Sequence, residues 1–266
     1  MSELVVPTNE RPDSDGSVLR ITPESAGWEY VGFEVLRLAD GRIVERETGR
    51  DEVCLVVLSG FCTVSTADEE WRGIGSRDSV FEGAPYAVYL PPGMGYQVEA
   101  VTYLELAVCS APAERGAAPH LIQPKDTQRS TRGNGNMERT ITNILMEDQA
   151  AERLLVVEVI TPNGHWSSYP PHKHDQDDPP RERYLEETYY HRIQPEQGFA
   201  LQSVYTEDGS LDETLTFRDG DVVLVPEGYH VVSAPPGYDL YYLNVMAGPV
   251  REWKIKNDPD HEWLIG

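Results

Sequence analysis

Apolar residues along this chain fall in short runs that never reach the length or the three-to-four-residue period of a long amphipathic helix. The runs WEYVGFEVLRL (28–38), EVCLVVLSG (52–60), YAVYLPPG (86–93), LELAVCS (104–110), RLLVVEVIT (153–161), ETYYHRI (187–193), FALQSVY (199–205), DVVLVPEG (221–228) and YDLYYLNVM (238–246) are rich in β-branched and aromatic residues. Gly, Pro, Asp or Asn bounds nearly all of them, which is the pattern of strands and turns. Only the stretches near 22–27 and 145–152 invite a helix. Closely spaced short strands predict an all-β sandwich or barrel.

The stretch 111–136 is poor in apolar residues and rich in Gly, Pro, Arg and Ser, and reads as a connection between two strand-rich halves. The halves look alike. YLPPG (89–93) and LVPEG (224–228) share one turn pattern, and the same offset sets Glu52 against Glu187. The expected organisation is a tail over 1–25, a first barrel over 26–112, a linker over 113–136 and a second barrel over 137–266.

Composition narrows the function classes. A net charge of −23 argues against nucleic acid and anionic membrane as partners, since both need a basic footprint. Cys54, Cys62 and Cys109 sit in or near apolar runs and read as reduced core thiols rather than a disulfide framework. No basic-then-apolar stretch opens the chain and no run approaches a membrane span, so the expectation is a cytoplasmic protein.

All seven histidines fall after position 119. In PPHKHD (170–175), two prolines favour extended backbone, and on a strand His172 and His174 share a face while Lys173 takes the other. Farther on, Glu187 is in phase with Tyr189 and His191, whereas Glu186 faces away. His230 follows the Pro226-x-Gly228 turn. Three imidazoles and one carboxylate suit one divalent ion of the borderline class, zinc, manganese or iron(II) among them. The first half has no histidine; Gly95 and Tyr96 stand where its equivalent of His230 would be, so its expected role is structural.

The HxH…E pair followed by G-x5-P-x-G…H, with Asn244 beyond, resembles the two paired motifs of the cupin superfamily. More narrowly, TPNGHWSSYPPHKHD (161–175), LEETYYHRIQPEQGFALQSVY (185–205), VPEGYHVVSAPPGYDLYYLNVMAGP (225–249) and REWKIKNDPDHEW (251–263) look like the 5-deoxy-glucuronate isomerase family. These are bicupins of myo-inositol catabolism, related to the 4-deoxy-5-threo-hexosulose-uronate isomerases. The resemblance implies two tandem cupin barrels of the double-stranded β-helix (jelly-roll) type. It implies an aldose–ketose isomerisation of a small sugar acid, 5-deoxy-D-glucuronate to 5-dehydro-2-deoxy-D-gluconate. It also implies a single metal ion, zinc or manganese ahead of iron, on His172, His174, Glu187 and His230.

For the substrate carboxylate, Arg183, Arg192, Arg218 and Arg251 are candidates. Tyr189, Tyr190 and His191 are candidates for proton transfer. Further assembly into a homo-oligomer is left open. Two other functions fit the same ligand set: a metal-dependent cupin dioxygenase or oxidase, and a non-catalytic sugar-binding cupin.

Overall fold

The computed structural model describes residues 2–265 and is built almost wholly of antiparallel strands. The strands expected from the apolar runs are present with ends shifted by a few residues: Gly32–Leu38, Asp51–Ser59, Ala87–Leu90, Leu104–Pro112, Leu155–Thr161, Glu186–Gln194, Ala200–Tyr205, Val222–Val225 and Asp239–Ala247. Alternation along them is what buries one face. In Ala200–Tyr205, every second residue is buried and its neighbours are half-exposed. No helix among the described residues is long and apolar enough to cross a membrane.

Two compact units form, and they are interleaved along the chain. One comprises residues up to Pro7, 129–142 and 157 onward; the other comprises 8–128 and 143–156. The boundaries expected from composition therefore need correction. The stretch 1–25 is not a plain tail. Val5–Val6 pairs with Val222–Val223 and so covers a sheet edge, and Ser17–Ile21 pairs with the Gly32–Leu38 strand. The stretch 113–136 is not a bare linker either, because His120–Ile122 pairs with Ala87–Tyr89 and Gln128–Arg132 is a strand. Its polar composition reflects half-exposed edge positions, which composition alone does not distinguish from a loop.

The duplication is visible in the registers. Glu52 lies opposite Ala111 and Glu187 opposite Met246, so both members of the second pair stand at one common offset from the first. In the first unit a core of Leu36, Leu55, Val57, Val64, Val88, Leu90, Val98 and Leu106 fills the space between the sheets. The three cysteines are buried free thiols, Cys54 directly across from Cys109.

Of the two helix expectations, Pro23–Ala26 is a single turn capped by Thr22. The stretch 145–152 is not helical. Here the backbone N–H groups of Glu152, Arg153 and Leu154 donate to the buried Glu52 carboxyl at 2.8, 2.6 and 2.6 Å, and the Tyr89 hydroxyl adds a fourth bond at 2.6 Å. A side chain distant in sequence thus fixes the end of this stretch in a non-helical course.

Glu52→Ala would leave these donors without an acceptor. It is expected to destabilise the protein by about 3–5 kcal/mol, as measured by urea unfolding. A loss below roughly 1 kcal/mol would show that water replaces the carboxyl freely.

Candidate metal centre

In the later unit, the strands Trp166–Lys173 and Tyr229–Ser233 run antiparallel with His172 directly opposite His230. His174 lies just past the first strand's end, and Glu187 enters from the start of Glu186–Gln194 in the facing sheet. One ligand atom from each of His172, His174 and His230 lies within 4.8 Å of the others, and among the described residues this is the one such group. All are buried: His172 is 7%, His174 3%, Glu187 1% and His230 0% exposed.

Glu187 Oε2 sits 3.0 Å from His174 Nε2 and 3.2 Å from His230 Nε2. His174 Nδ1 lies 2.9 Å from the Leu185 carbonyl; donating there fixes the ring and turns Nε2 into the cluster. Glu187 Oε1 and His230 Nε2 are buried without a hydrogen bond. Orphaned polar atoms in such a setting cost free energy unless something binds them. Converging imidazole nitrogens and a carboxylate with a spare oxygen are a donor set that fits a divalent ion.

Electrostatics within the cluster follow from burial and proximity. Burial pushes His172 well below the ordinary histidine range, and His230 and His174 beside it push the same way, so it stays neutral. Burial alone would raise the Glu187 carboxyl, but the imidazoles of His174 and His230 outweigh it and hold it at about 2. His174 is the converse case: burial opposes its charge, and Glu187 nonetheless raises its pKa.

A second, charged network fixes the ligand-bearing loops. Lys173, facing away from the cluster, bonds Asp175 at 2.5 Å and Glu182 at 3.3 Å. Asp175 accepts from Gly228 N–H at 2.7 Å, which ties the segment after His174 to the turn before His230. Glu182 accepts the N–H groups of Asp175 and Gln176. Trp253 walls the cluster, its ring 6.3 Å from His172 and 6.1 Å from His174. Trp253, Asp175 and Glu182 do not stand out from strand periodicity; the only signal for Trp253 is its place in the family-like stretch 251–263.

The other candidate residues separate clearly. Tyr189 is brought in: its ring lies 5.7 Å from His230 and its hydroxyl 3.0 Å from Ser168 Oγ. Tyr190 is out of phase with Glu187 and turned from the cluster. His191 stacks on Phe217 at 3.7 Å and meets Gln202 at 3.2 Å, and burial drops its pKa to about 3 against the opposing pull of Gln202. It is a packed, neutral core ring. Arg192 takes the outward phase and pairs with Asp219 at 3.0 Å. Arg183 is held by Glu252 and by Asp177 at 2.8 Å. The Arg218 side chain is exposed, and Arg251 is half-buried.

The model of the KduI/IolB family matches residues 4–264. A protein of Geobacillus kaustophilus named 5-deoxy-glucuronate isomerase is 58% identical over 266 residues, covering 100% of this chain and 96% of its own length. The crystal structure of an IolB-like protein from Salmonella typhimurium LT2 superposes with a TM-score of 0.97 at 46% identity, covering all of both chains. The oxalate decarboxylase of Lactobacillus farciminis shares the fold alone, with a TM-score of 0.68 at 13% identity over 97% of this chain and 89% of its own. This places the architecture among the bicupins.

The depressed Glu187 pKa gives a pH test. The folded carboxyl, at about 2, binds its proton less readily than the unfolded group, near 4.5. Its contribution is therefore full above about pH 4.5 and is lost as pH falls through about 2. In chelator-treated protein, Glu187→Gln is expected to be about 1–3 kcal/mol less stable at neutral pH, with the gap narrowing between pH 5 and pH 3 in thermal melts. A gap independent of pH over that range would contradict the assignment.

Proposed function

We propose that this chain, which belongs to the KduI/IolB family, isomerises 5-deoxy-glucuronate in myo-inositol breakdown, with one divalent ion held by His172, His174, Glu187 and His230. The observation that carries the chemistry is the buried, partly unsatisfied carboxyl of Glu187 set among three imidazoles. The substrate class follows from the full-length likeness to proteins named for that reaction. Zinc or manganese, with iron as the third option, suits the ligand set.

Moving a carbonyl from C1 to C2 transfers one hydrogen from C2 to C1 and one proton from O2 to O1, with no net oxidation. Negative charge develops on the two oxygens on the way. A bound divalent ion supplies Lewis-acid polarisation of the carbonyl and its neighbouring hydroxyl.

The chain's residues do the rest. His172 stays neutral through burial and so offers a lone pair. Tyr189 is held well above the usual phenol range by burial and by the nearby Glu187 charge. It therefore keeps its proton and acts as a hydrogen-bond donor beside the reacting oxygens, not as a base. The closed packing around His191, Phe217 and Val232 keeps bulk water from the inner side of the cluster.

The direct test is NMR of 5-deoxy-glucuronate incubated with the protein. Wild type is expected to form the ketose, to stop when treated with chelator, and to resume when zinc or manganese is restored. His230→Ala is expected to lower kcat/KM by roughly 1,000-fold or more. Unchanged turnover after complete metal removal would sink the metal-dependent reading.

A further inference from the structure

Of the arginines the sequence offers for a substrate carboxylate, Arg183 and Arg192 are paired with acids and Arg218 is exposed, whereas Arg139 of the same unit has no acid partner among the described residues. Arg139 opens the strand Arg139–Leu145. It is in phase with Ile141, which packs on the barrel core, so its side chain starts from the core-facing side. Among the described residues, its side chain makes one hydrogen bond, from Nη1 to the Met137 carbonyl at 3.0 Å. Gly133, at φ +83°, makes that seat possible: a Cβ there would stand 2.1 Å from Met137 O and 2.8 Å from Arg139 Nη1. The guanidinium is therefore positioned by a turn shaped for it and left without a counter-charge. Burial lowers its pKa and the Arg132 charge pushes the same way, with the Tyr242 hydroxyl the opposing influence. A half-buried cation of this kind is costly unless an anion joins it.

A polar track joins this arginine to the candidate metal centre. The Tyr242 ring packs 5.0 Å from that of Tyr189, and the Arg139 charge acts on its hydroxyl. Ser168 Oγ meets the Tyr189 hydroxyl at 3.0 Å, and the Tyr189 ring lies 5.7 Å from that of His230. Thr161 donates to Ser167 at 2.8 Å. Ser168 adopts φ +50°, a left-handed conformation that is strained for a non-glycine residue. That conformation places its hydroxyl on that of Tyr189 inside a barrel otherwise lined by Val159, Val204, Phe217 and Leu240.

We infer that Arg139 receives the carboxylate end of the substrate, with the hydroxyl-bearing carbons along Ser168, Tyr189 and Tyr242 and the carbonyl end at the histidine cluster. The planar guanidinium fork matches a carboxylate in two parallel hydrogen bonds, which no lysine supplies. Arg139 thus recognises the charged end and sets specificity without touching the reacting atoms. This rests on the sugar-acid reading proposed above, and the test separates the two.

Calorimetric titration of the purified protein with D-glucuronate and with D-glucuronamide isolates the carboxylate. Wild type is expected to bind the acid at least about tenfold more tightly than the amide. Arg139→Gln is expected to bind both alike, and Arg139→Lys, which keeps charge but not the fork, to retain a preference reduced several-fold. A wild type indifferent to the carboxylate, an Arg139→Gln variant with the preference intact, or a loss in both variants equal for acid and amide would each overturn the inference. Should Arg139→Gln not fold, the preference of Arg139→Lys decides: unchanged from wild type, it overturns the assignment. Turnover of 5-deoxy-glucuronate by the same wild-type preparation is scored separately, so that a failed reaction is read apart from a failed carboxylate site.

Discussion

A carboxyl group buried to 1% exposure must be paired, because an isolated charge taken out of water costs far more than a folded domain can spare. Glu187 meets that demand with one oxygen directed at His174 and His230, and leaves the other without a hydrogen bond. Much of the later unit serves this arrangement. The antiparallel register brings His172 opposite His230, the Leu185 carbonyl orients His174, and Asp175 ties the loop after the HxH pair to the turn before His230. The site is thus a set of donors already gathered, with the cost of gathering them met by strand pairing and a buried ion network.

The two units show how one position can be resolved in two ways. Glu52 and Glu187 occupy the same place in duplicated strands, and both are almost fully buried. Glu52 is satisfied by three backbone N–H groups and a tyrosine hydroxyl, all from its own unit, and so has no capacity left for an ion. Glu187 has imidazoles in place of backbone donors. In one unit the carboxyl is a structural clasp, and in the other it faces a cluster of imidazoles.

Most of the fold and the core of the site were legible because both rest on strand periodicity. Alternation favours Glu187 over Glu186 and sets His172 and His174 on one face, and in the structure Glu187 Oε2 lies 3.0 Å from His174 Nε2. What was not legible depends on contacts distant in sequence. Whether Arg183 and Arg192 are free is decided by Glu252, Asp177 and Asp219, none of which a local pattern connects to them. The stretch 145–152 has helix-like composition, yet Glu52, a hundred residues earlier, claims the neighbouring N–H groups. The interleaving of the units escaped composition for the same reason: Val5 and Val6 form a strand only because the edge of Val222–Val225 is there to pair with. His191 shows the limit of phase itself, since sharing a face with Glu187 places it deeper in the barrel against Phe217, not at the cluster.

The central claim is that one ion sits on four named side chains of the later unit and none sits in the first. Anomalous diffraction from crystals of zinc- or manganese-loaded protein, collected at the metal's absorption edge, measures this directly. The account predicts one peak per chain, with a nitrogen of each of His172, His174 and His230 and an oxygen of Glu187 about 2.0–2.2 Å away. A peak lacking Glu187 in its coordination shell, or a second peak of equal height beside Glu52, would contradict it.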